Sequence, residues 1–300
     1  MNQNDDTHED ASRAIQTKAP EKVVVEDPPP EPDYPRYRVE PGNRASLAAI
    51  APDETEHYRK KKDVARELEK QRKRIQDLQE RLYAENERGV LIVLQAMDTG
   101  GKDGTIKHVF GGINPQGCRV SSFKAPSAEE ANHDFLWRYH KSAPAKGRIG
   151  IFNRSHYEDV LVVRVKGIVS EDIWRERYDQ INAFERNLSL SGITVLKFFL
   201  HISKDEQKRR LESRLDDPDK RWKFSSNDIK ERAFWDAYQQ AFEDALSNCS
   251  TEHAPWYVVP ANKKWYRNLV VARTIADTLE AMDPRYPPAE EGLEKVTIPD

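Results

Sequence analysis

Short apolar runs alternate with longer amphipathic segments through the middle of the chain. The apolar runs are rich in Val, Ile, Leu and Phe, as buried strands are, and the segments between them repeat their apolar positions at helical spacing. The predicted strands are 90–94, 119–123, 148–152, 194–200 and 256–259. The predicted helices are 101–110, 127–140, 155–165, 170–189, 203–215, 227–247 and 262–281. This alternation predicts an α/β fold with a parallel sheet flanked by helices, in which ligands bind beyond the carboxyl ends of the strands.

A long charged helix is predicted before the first strand, over about 54–87. Its apolar residues recur at spacings of three, four and seven residues among many Lys, Arg and Glu. They are Val64, Leu68, Ile75, Leu78 and Leu82. A single apolar stripe on such a helix must be covered, either by the core of its own chain or by a partner subunit.

The two ends of the chain differ in composition from the middle. Residues 1–35 are rich in Pro and hold 9 Asp/Glu against 3 Lys/Arg, which predicts a disordered acidic tail with a charge of −6. Because the whole chain has a net charge of −3, the remainder carries +3. A mildly basic body suits a polyanionic substrate, although solvated surface explains it equally well. Residues 284–300 follow a Pro-rich stop and are predicted to be a loose tail.

Cysteine usage and hydropathy bear on the compartment. Cys118 and Cys249 are the only cysteines, and their spacing indicates neither a disulfide framework nor a zinc site. The N-terminal segment is polar and acidic, and the sequence contains no apolar run long enough to span a membrane. We therefore expect a cytoplasmic protein with no membrane partner.

The segment 90–106 has the order of a phosphate-binding loop: an apolar strand, a glycine-rich turn with a lysine, and then a helix. Backbone N–H groups and a helix N-terminus converge in such a loop, and Lys102 adds a mobile charge for the same phosphates. The predicted phosphate ligands are Gly100, Gly101, Lys102, Gly104 and Thr105. The alternative is an ordinary strand-to-helix turn with a solvated lysine.

Two substitutions separate this loop, taken as residues 95–105, from the common pattern Gly-x-x-x-x-Gly-Lys-Ser/Thr. Ala96 stands at the first glycine, and Asp103 stands where a magnesium-binding hydroxyl would follow the lysine. An additional carboxylate, Asp98, lies inside the loop. Since Mg²⁺ prefers oxygen ligands, Asp98 is the predicted metal ligand.

A second chemical motif ends the strand predicted at 148–152. Phosphotransferases often end a neighbouring strand with a metal-directed aspartate, and here that place is taken by Asn153. Arg154 follows and can stabilise phosphoryl charge, while Glu158 can accept a hydrogen bond from a ribose, a base or a metal-bound water. The alternative is that Arg154 and Glu158 merely pair across one helical turn.

A third motif lies between 203 and 228, where a basic helix stops near Pro218 and a second basic cluster follows. Arg210 and Arg214 are one helical turn apart, and we expect a helical lid that closes over phosphates. Lys223 belongs to the second cluster, whose neighbour Trp222 we expect in the core. The alternative is a solvated helix face whose charges neutralise one another.

These three motifs together resemble polyphosphate kinase family 2. They are the sequences at 95–105 and 152–159 and the Arg210/Arg214 lid ending in Asp217-Pro218 and Arg221-Trp222-Lys223. The resemblance covers about 36–283 and implies a thymidylate kinase-like parallel sheet with a phosphate loop and a lid. It implies reversible transfer of the terminal phosphate of inorganic polyphosphate to a nucleotide, with Mg²⁺, or Mn²⁺ as the alternative ion, in a dimer or tetramer.

The resemblance also implies a role for each candidate residue. Asp98 would hold the metal and orient the acceptor phosphate, and Lys102 would grip the phosphates being exchanged. Arg154 and Arg214 would neutralise the transferring group. Arg210, Lys124 and Lys223 would bind polyphosphate. Asn153 with Glu158 resembles the third subclass, which acts on AMP and ADP, so adenine nucleotides are the expected acceptors and guanine nucleotides the alternative.

Two other functions stay open at this stage. The first is an ATP-dependent nucleoside monophosphate kinase, because a fold does not determine the phosphate donor. The second is a non-enzymatic polyanion binder, such as a nucleic-acid-binding protein. Asp98, four residues before Lys102, argues against the second, because polyanion binding has no need of a carboxylate among the phosphates. We therefore expect no nucleic-acid partner.

Overall fold

A six-stranded sheet forms the centre of the computed structural model, which describes residues 37–299. The acidic tail predicted at 1–35 lies outside the described residues. The strands are β1 (Arg38–Val39), β2 (Gly89–Gln95), β3 (Cys118–Ser122), β4 (Ile149–Asn153), β5 (Ile193–His201) and β6 (Trp256–Pro260). The spatial order is β1-β6-β5-β2-β4-β3, and all neighbouring strands except β1 and β6 are parallel. The five predicted strands are confirmed to within one residue at each end.

Helices cover the sheet in two groups. They are α1 (Lys61–Glu85), α2 (Lys102–Val109), α3 (Ala128–Ala131), α4 (Trp137–Ser142), α5 (Glu158–Val165), α6 (Glu171–Leu190), α7 (Lys204–Asp216), α8 (Ser226–Arg232), α9 (Trp235–Cys249) and α10 (Lys264–Met282). In one group α10 packs against both α1 and α2, and in the other α5, α6 and α9 pack together. The α/β fold predicted from the sequence is therefore confirmed.

The long helix α1 is covered by its own chain. Its apolar side packs along α10, and Ile75 and Leu82 are fully buried there. Arg74 of α1 reinforces this packing through ion pairs with Asp277 and Glu280 of α10. Of the two possibilities for the apolar stripe, the structure shows the internal one. The helix begins at Lys61 rather than near 54, where the N-cap Lys60 donates its backbone N–H to Asp63.

Two of the predicted helices are each broken in two. The helix expected at 127–140 is replaced by α3 and α4, because the Asp134 carboxylate accepts the backbone N–H of Leu136 and stabilises a turn between them. The helix expected at 227–247 is replaced by α8 and α9. None of the α8 residues is buried, whereas α9 buries one side, and a turn at Ala233 and Phe234 separates the two helices.

Three further features of the fold depart from the sequence pattern. The edge strand β1 has only two residues, which is too short to produce a recognisable alternation, and it runs antiparallel to β6. Helix α5 begins at Glu158, three residues later than expected. After α10, residues 284–299 contain one short 3₁₀ helix at Leu293–Lys295. Within residues 37–299 none of the helices combines the length and apolar content that crossing a lipid bilayer requires.

The packing of α1 on α10 predicts a stability loss when its centre is truncated. Ile75→Ala removes a fully buried side chain and leaves a cavity, so we expect the free energy of unfolding to fall by about 2–5 kcal/mol. Lys73→Ala, on the exposed side of the same helix, is the control and should change it by less than about 0.5 kcal/mol. Urea denaturation measures both values, and equal losses in the two variants would contradict the packing described here.

Candidate active site

The carboxyl ends of β2 and β4 meet at one edge of the sheet. Leu94 of β2 pairs in register with Asn153 of β4, so the loop that follows β2 and the turn that follows β4 begin side by side. The turn starts with the Arg154 N–H donating to the Leu94 carbonyl over 3.2 Å. The two motifs singled out from the sequence are therefore adjacent in space.

The loop between β2 and α2 needs its glycines for steric reasons. At Gly100, a Cβ atom would lie 2.4 Å from the Cβ of Ala96. Gly101 has φ +106°, and a Cβ there would lie 1.9 Å from Nη1 of Arg267. Thr99 also has a positive φ, +62°, which is uncommon for a residue with a side chain. The loop is thus tightly wound and in contact with an arginine.

Two arginines hold the loop through its backbone carbonyl groups. Nη1 of Arg210 donates to the carbonyls of Thr99 and Gly100, both over 3.0 Å, and its Nη2 donates to the Ala261 carbonyl over 2.6 Å. Arg267, fully buried, lies beside Gly100 with Nη1 3.5 Å from the carbonyl oxygen. Because the carbonyls are held from this side, the N–H groups at the start of α2 remain available for anions.

The structure therefore places Arg210 behind the loop. The resemblance assigns this side chain to polyphosphate binding, but it is 8 % exposed and its donors are occupied by carbonyl groups and by Glu206. Thr105 is likewise buried, and its hydroxyl donates to the Gly101 carbonyl over 3.1 Å. Both residues support the shape of the loop in this structure.

The front of the loop faces the turn after β4. Nη2 of Arg154 lies 3.1 Å from Oδ1 of Asp98, so the loop carboxylate and the arginine of the second motif form an ion pair. Arg154 has φ +62° and precedes α5, which begins at Glu158. The alternative reading of Arg154 and Glu158 as a pair on one helix surface is therefore wrong.

Electrostatic coupling connects Lys102 to these groups. Burial lowers the pKa of the Lys102 ammonium, and Arg154 lowers it further, against the opposing effect of Asp98 and Glu158. Burial raises the pKa of the Glu158 carboxyl, although Arg154 and Lys102 lower it. For Arg154, burial would lower the pKa, but the carboxylates Glu158 and Asp98 outweigh burial and the pKa is raised.

Asn153 and Asp103 form a second contact between the two motifs. Nδ2 of Asn153 donates to Oδ1 of Asp103 over 2.8 Å, which an aspartate at position 153 would be unable to do in its ionised form. Lys102 extends back along the loop and donates to the Ala96 carbonyl over 3.3 Å. The Asp103 carboxylate, noted in the sequence only as a departure from the common pattern, thus belongs to the site.

A cavity of about 680 Å³ opens beside Asp98. Near the loop, its wall is formed by Asp98, Arg154, Glu158, Gln207, Asp228 and Tyr238. Its other end is formed by aromatic and basic residues, including Phe123, Lys124, Phe135, Arg138 and Arg177. There Arg138 lies over the Phe123 ring at 5.6 Å, and Arg177 lies over the Phe135 ring at 4.6 Å. Lys124, which the resemblance assigns to polyphosphate, lies on this wall.

Helices α7 and α8, joined by a 3₁₀ turn at Pro218–Lys223, form the segment expected to be a lid. Nη1 of Arg214 lies 3.3 Å from Oδ2 of Asp228 and donates to the Lys223 carbonyl over 3.1 Å. Lys223 itself is exposed, and Trp222, expected in the core, is 78 % exposed, so that expectation is wrong. Arg214 therefore approaches the cavity only through Asp228.

Several residues at the site were missed by the sequence analysis. Arg267 and Gln207 contact the loop, the latter through Nε2 donating to the Asp98 carbonyl over 3.1 Å, and Asp228 reaches the cavity from the lid. None belongs to a short motif with a chemical meaning. For Arg267, the available signal is its position just after the last strand, β6, because ligands bind beyond the carboxyl ends of parallel strands.

The side chains at the site suit a magnesium ion that is held partly by substrate. Among residues 37–299 no group of three or more His, Cys, Asp or Glu side chains is arranged to hold a metal by itself. Mg²⁺ is typically bound by one or two carboxylates together with substrate phosphates and water. Asp98, half-buried on the cavity wall, is a carboxylate of this kind, so the donor set fits such an ion.

The position of Gly101 leads to a prediction about the loop. Gly101→Ala combines backbone strain with a clash against Arg267, so it should lower the free energy of unfolding by about 1–3 kcal/mol and weaken tripolyphosphate binding at least tenfold. Gly42→Ala is the matched control, since Gly42 also has a positive φ, +80°, with open space around it. Calorimetric titration should show unchanged binding in the control. Equal tripolyphosphate binding in both variants would show that the shape of the loop at Gly101 is not needed for phosphate binding.

Comparison with known proteins identifies the relatives of the chain. A family model described as Polyphosphate kinase 2 matches residues 58–287. The AMP/ADP-polyphosphate phosphotransferase of Meiothermus ruber is 53 % identical over 264 residues, which cover 88 % of this chain and 99 % of that protein. The ADP-polyphosphate phosphotransferase of Rhodopseudomonas palustris is 45 % identical over 84 % of this chain and 91 % of its own length.

Solved structures give the same result for the fold. The crystal structure of polyphosphate kinase 2 from Arthrobacter aurescens TC1 superposes with a TM-score of 0.83 at 46 % identity, covering 86 % of this chain and 93 % of that one. Sequence match, overall fold and the phosphate loop beside the arginine turn all lead to the same assignment. The chain belongs to the polyphosphate kinase 2 family.

Proposed function

We propose that this protein transfers the terminal phosphate of inorganic polyphosphate to AMP and ADP. The observation that supports this most directly is the Asp98–Arg154 ion pair of 3.1 Å on the wall of the cavity. It brings a carboxylate of the phosphate loop and a cation of a second element to the place where the loop, the cavity and the lid meet. Simple polyanion binding has no need of this carboxylate.

The cavity is the proposed acceptor site. Its volume of about 680 Å³ lies in the range typical of small-molecule pockets. A nucleotide placed with its phosphate at Asp98 and Arg154 would extend its base towards Phe123, Phe135 and Arg138. Aromatic rings and guanidinium planes are suitable surfaces for a nucleobase, and Glu158 would accept a hydrogen bond from the acceptor.

The phosphate loop is the proposed donor site. The terminal phosphates of polyphosphate would lie against the N-terminus of α2 and the Lys102 ammonium. Polyphosphate has no base to recognise, so a cationic groove without base-specific contacts suffices for it. We propose that Lys223 binds phosphates further along the polyphosphate, and that Arg210, with Thr105, acts on the donor by fixing the loop. Lys124, which the resemblance assigns to polyphosphate, lies on the wall of the acceptor cavity, so we propose that it contacts the acceptor there.

The chain's own residues would catalyse transfer by position and charge. Asp98 and Arg154 would align an acceptor oxygen with the terminal phosphorus, so that the new P–O bond forms while the bond to the bridging oxygen breaks and the shortened polyphosphate leaves. Arg154 with Lys102 would neutralise the charge of the transferring group. Arg214 would join them after exchanging Asp228 for a phosphate. Bound Mg²⁺, held by Asp98, would supply further neutralisation of the phosphate oxygens. No general base is needed, since the attacking oxygen belongs to a phosphate that is already ionised.

The acceptor range is proposed from the relatives and from two residues. The Meiothermus ruber protein is named for AMP and ADP, and the Rhodopseudomonas palustris protein for ADP. Asn153 and Glu158 are the residues in which the chain resembles the subclass that acts on both AMP and ADP. We propose adenine nucleotides as acceptors, with guanine nucleotides also to be tested, and Mg²⁺ as the ion, with Mn²⁺ to be tested in its place.

Assembly and compartment are further parts of the proposal. The apolar side of α1 packs on α10, so it gives no separate support for a subunit interface. We therefore propose a dimer or tetramer from the family resemblance alone. Light scattering of the purified chain measures this directly. A cytoplasmic location is proposed because substrates of this class, nucleotides and polyphosphate, are intracellular anions.

The proposed reaction is tested by phosphorus NMR of AMP or ADP incubated with long-chain polyphosphate and Mg²⁺. We expect AMP to yield both ADP and ATP, and Asp98→Asn to lose at least about 100-fold in kcat. Asp77→Asn, which neutralises an exposed carboxylate on α1, is the control and should retain full activity. Intact polyphosphate in a reaction where ATP phosphorylates AMP would instead indicate a nucleoside monophosphate kinase.

The coupling around Lys102 predicts opposite pH shifts in two variants. Phosphate binding by Lys102 weakens as pH rises through its pKa, because the ammonium then loses its proton. Arg154→Gln removes a cation that lowers this pKa, so the loss should move to higher pH, whereas Glu158→Gln removes a carboxylate that raises it and should move the loss to lower pH.

Metal-free tripolyphosphate binding, measured by calorimetry between about pH 7 and 10, gives both midpoints relative to the wild type. Comparison among variants cancels the titration of the ligand itself. Shifts in the same direction would show that Lys102 does not determine the pH dependence of binding.

A further inference from the structure

A lysine–glutamate pair lies in the core of the protein, outside the cavity. Lys197 of β5 and Glu185 of α6 are both fully buried and form an ion pair. Nζ of Lys197 also donates to the Tyr157 hydroxyl over 2.8 Å and to the Cys249 carbonyl over 2.6 Å. Neither charged residue lines the cavity, so neither touches a ligand there.

The glutamate connects this pair to the turn after β4. Oε1 of Glu185 is 3.0 Å from Nε2 of His156 and accepts the Tyr157 hydroxyl over 2.9 Å. Burial lowers the pKa of His156, so the imidazole is neutral near pH 7 and can donate from Nε2 to the carboxylate. The network thus ends on two consecutive side chains that lie between Arg154 and Glu158.

The 154–158 turn has an unusual backbone that needs support. Arg154 adopts φ +62°, a conformation that a residue with a side chain rarely takes unless its surroundings impose it. Ser155 is buried, and its hydroxyl oxygen lies 3.2 Å from Nε2 of Gln95 and 3.3 Å from the Tyr157 N–H. Together with His156 and Tyr157, these contacts hold every residue between the two site residues from the core side.

An ion pair is an energetically unfavourable choice for filling a protein core. Taking two charges out of water is unfavourable, and apolar residues of similar size often stabilise a fold equally well. The neighbours of Lys197 along β5 are apolar and buried, among them Val195 and Phe198. The pair is therefore better explained by what it holds in place than by the stability of the sheet.

We propose that Glu185 and Lys197 are positioning residues for phosphoryl transfer: acting through His156 and Tyr157, they hold the 154–158 turn in the shape that brings Arg154 against Asp98. The reference to phosphoryl transfer rests on the proposed function. The claim about the shape of the turn does not, and it can be tested separately.

The experiment compares the single variants Glu185→Met and Lys197→Met with the paired variant that carries both. Each single variant leaves an uncompensated buried charge and should lose thermal stability, whereas the paired variant should recover most of it. Because the contacts to His156 and Tyr157 are still missing, kcat of the paired variant should stay at least tenfold low. The KM for the acceptor should rise as well, since Arg154 also faces the acceptor phosphate. Recovery of kcat together with stability would overturn the inference.

One control variant and one further test variant separate positioning from general destabilisation. Val195→Ala truncates a buried residue on the same strand and should lower the melting temperature without a tenfold loss of kcat. Tyr157→Phe removes one hydroxyl and keeps the ion pair, so it remains informative if the paired variant fails to fold. We expect at least a threefold loss of kcat from it, and wild-type kcat in Tyr157→Phe would count against the inference.

A crystal structure of the paired variant, or of Tyr157→Phe in its place, gives the outcome that does not depend on turnover. We expect the Arg154 backbone to be displaced or its 3.1 Å contact with Asp98 to be lost. If the turn is unchanged, the inference is wrong whatever the rates are. If the wild type fails to consume polyphosphate, the proposed function is wrong, and the shape of the turn in the variant still decides this inference.

Discussion

The parallel pairing of β2 with β4 is the constraint on which the site depends. It places Leu94 opposite Asn153, so both strands end at the same level and their loops leave the sheet together. Each loop then turns back at a residue with positive φ, Thr99 in one and Arg154 in the other. Asp98 and Arg154 meet because of this shared geometry. A shift of one residue in the pairing would reverse the faces and separate them.

The arginines at the site have different physical tasks according to their burial. Arg210 and Arg267 lie behind the phosphate loop. Arg210 donates to two carbonyls of the loop, while Arg267 donates mainly to the Asn268 side chain and contacts the Gly100 carbonyl with Nη1. Arg154 lies in front of it and faces a carboxylate that a phosphate can replace. A guanidinium with occupied, buried donors stabilises structure, whereas one paired with a half-exposed carboxylate can exchange partners when an anion binds.

Carboxylates and cations lie close together at the phosphate loop, and burial shifts their pKa values together with their mutual charges. Burial favours the neutral forms of Lys102 and Glu158, while the charge of each residue favours the ionised form of the other. At the phosphate loop, charged groups are therefore shielded from water and their opposite charges nearly balance. In such surroundings, each remaining charge would act more strongly on a nearby phosphate than it does in water.

The strands, the phosphate loop and the family resemblance could all be predicted from the amino-acid sequence. These are local properties: apolar runs predict β2 to β6 to within one residue, and two glycines beside Lys102 are required by a tight loop wherever it lies. Which of these residues share a site, and which way they face, follows only from the packing of the folded chain. Arg210 and Lys223 look alike in the sequence as basic residues of one lid, yet one is buried behind the loop and the other is exposed. The reason is that burial and partner choice depend on elements far apart in the chain, as in the contact of Glu185 and Lys197 with the turn beside Arg154, and no local pattern contains them.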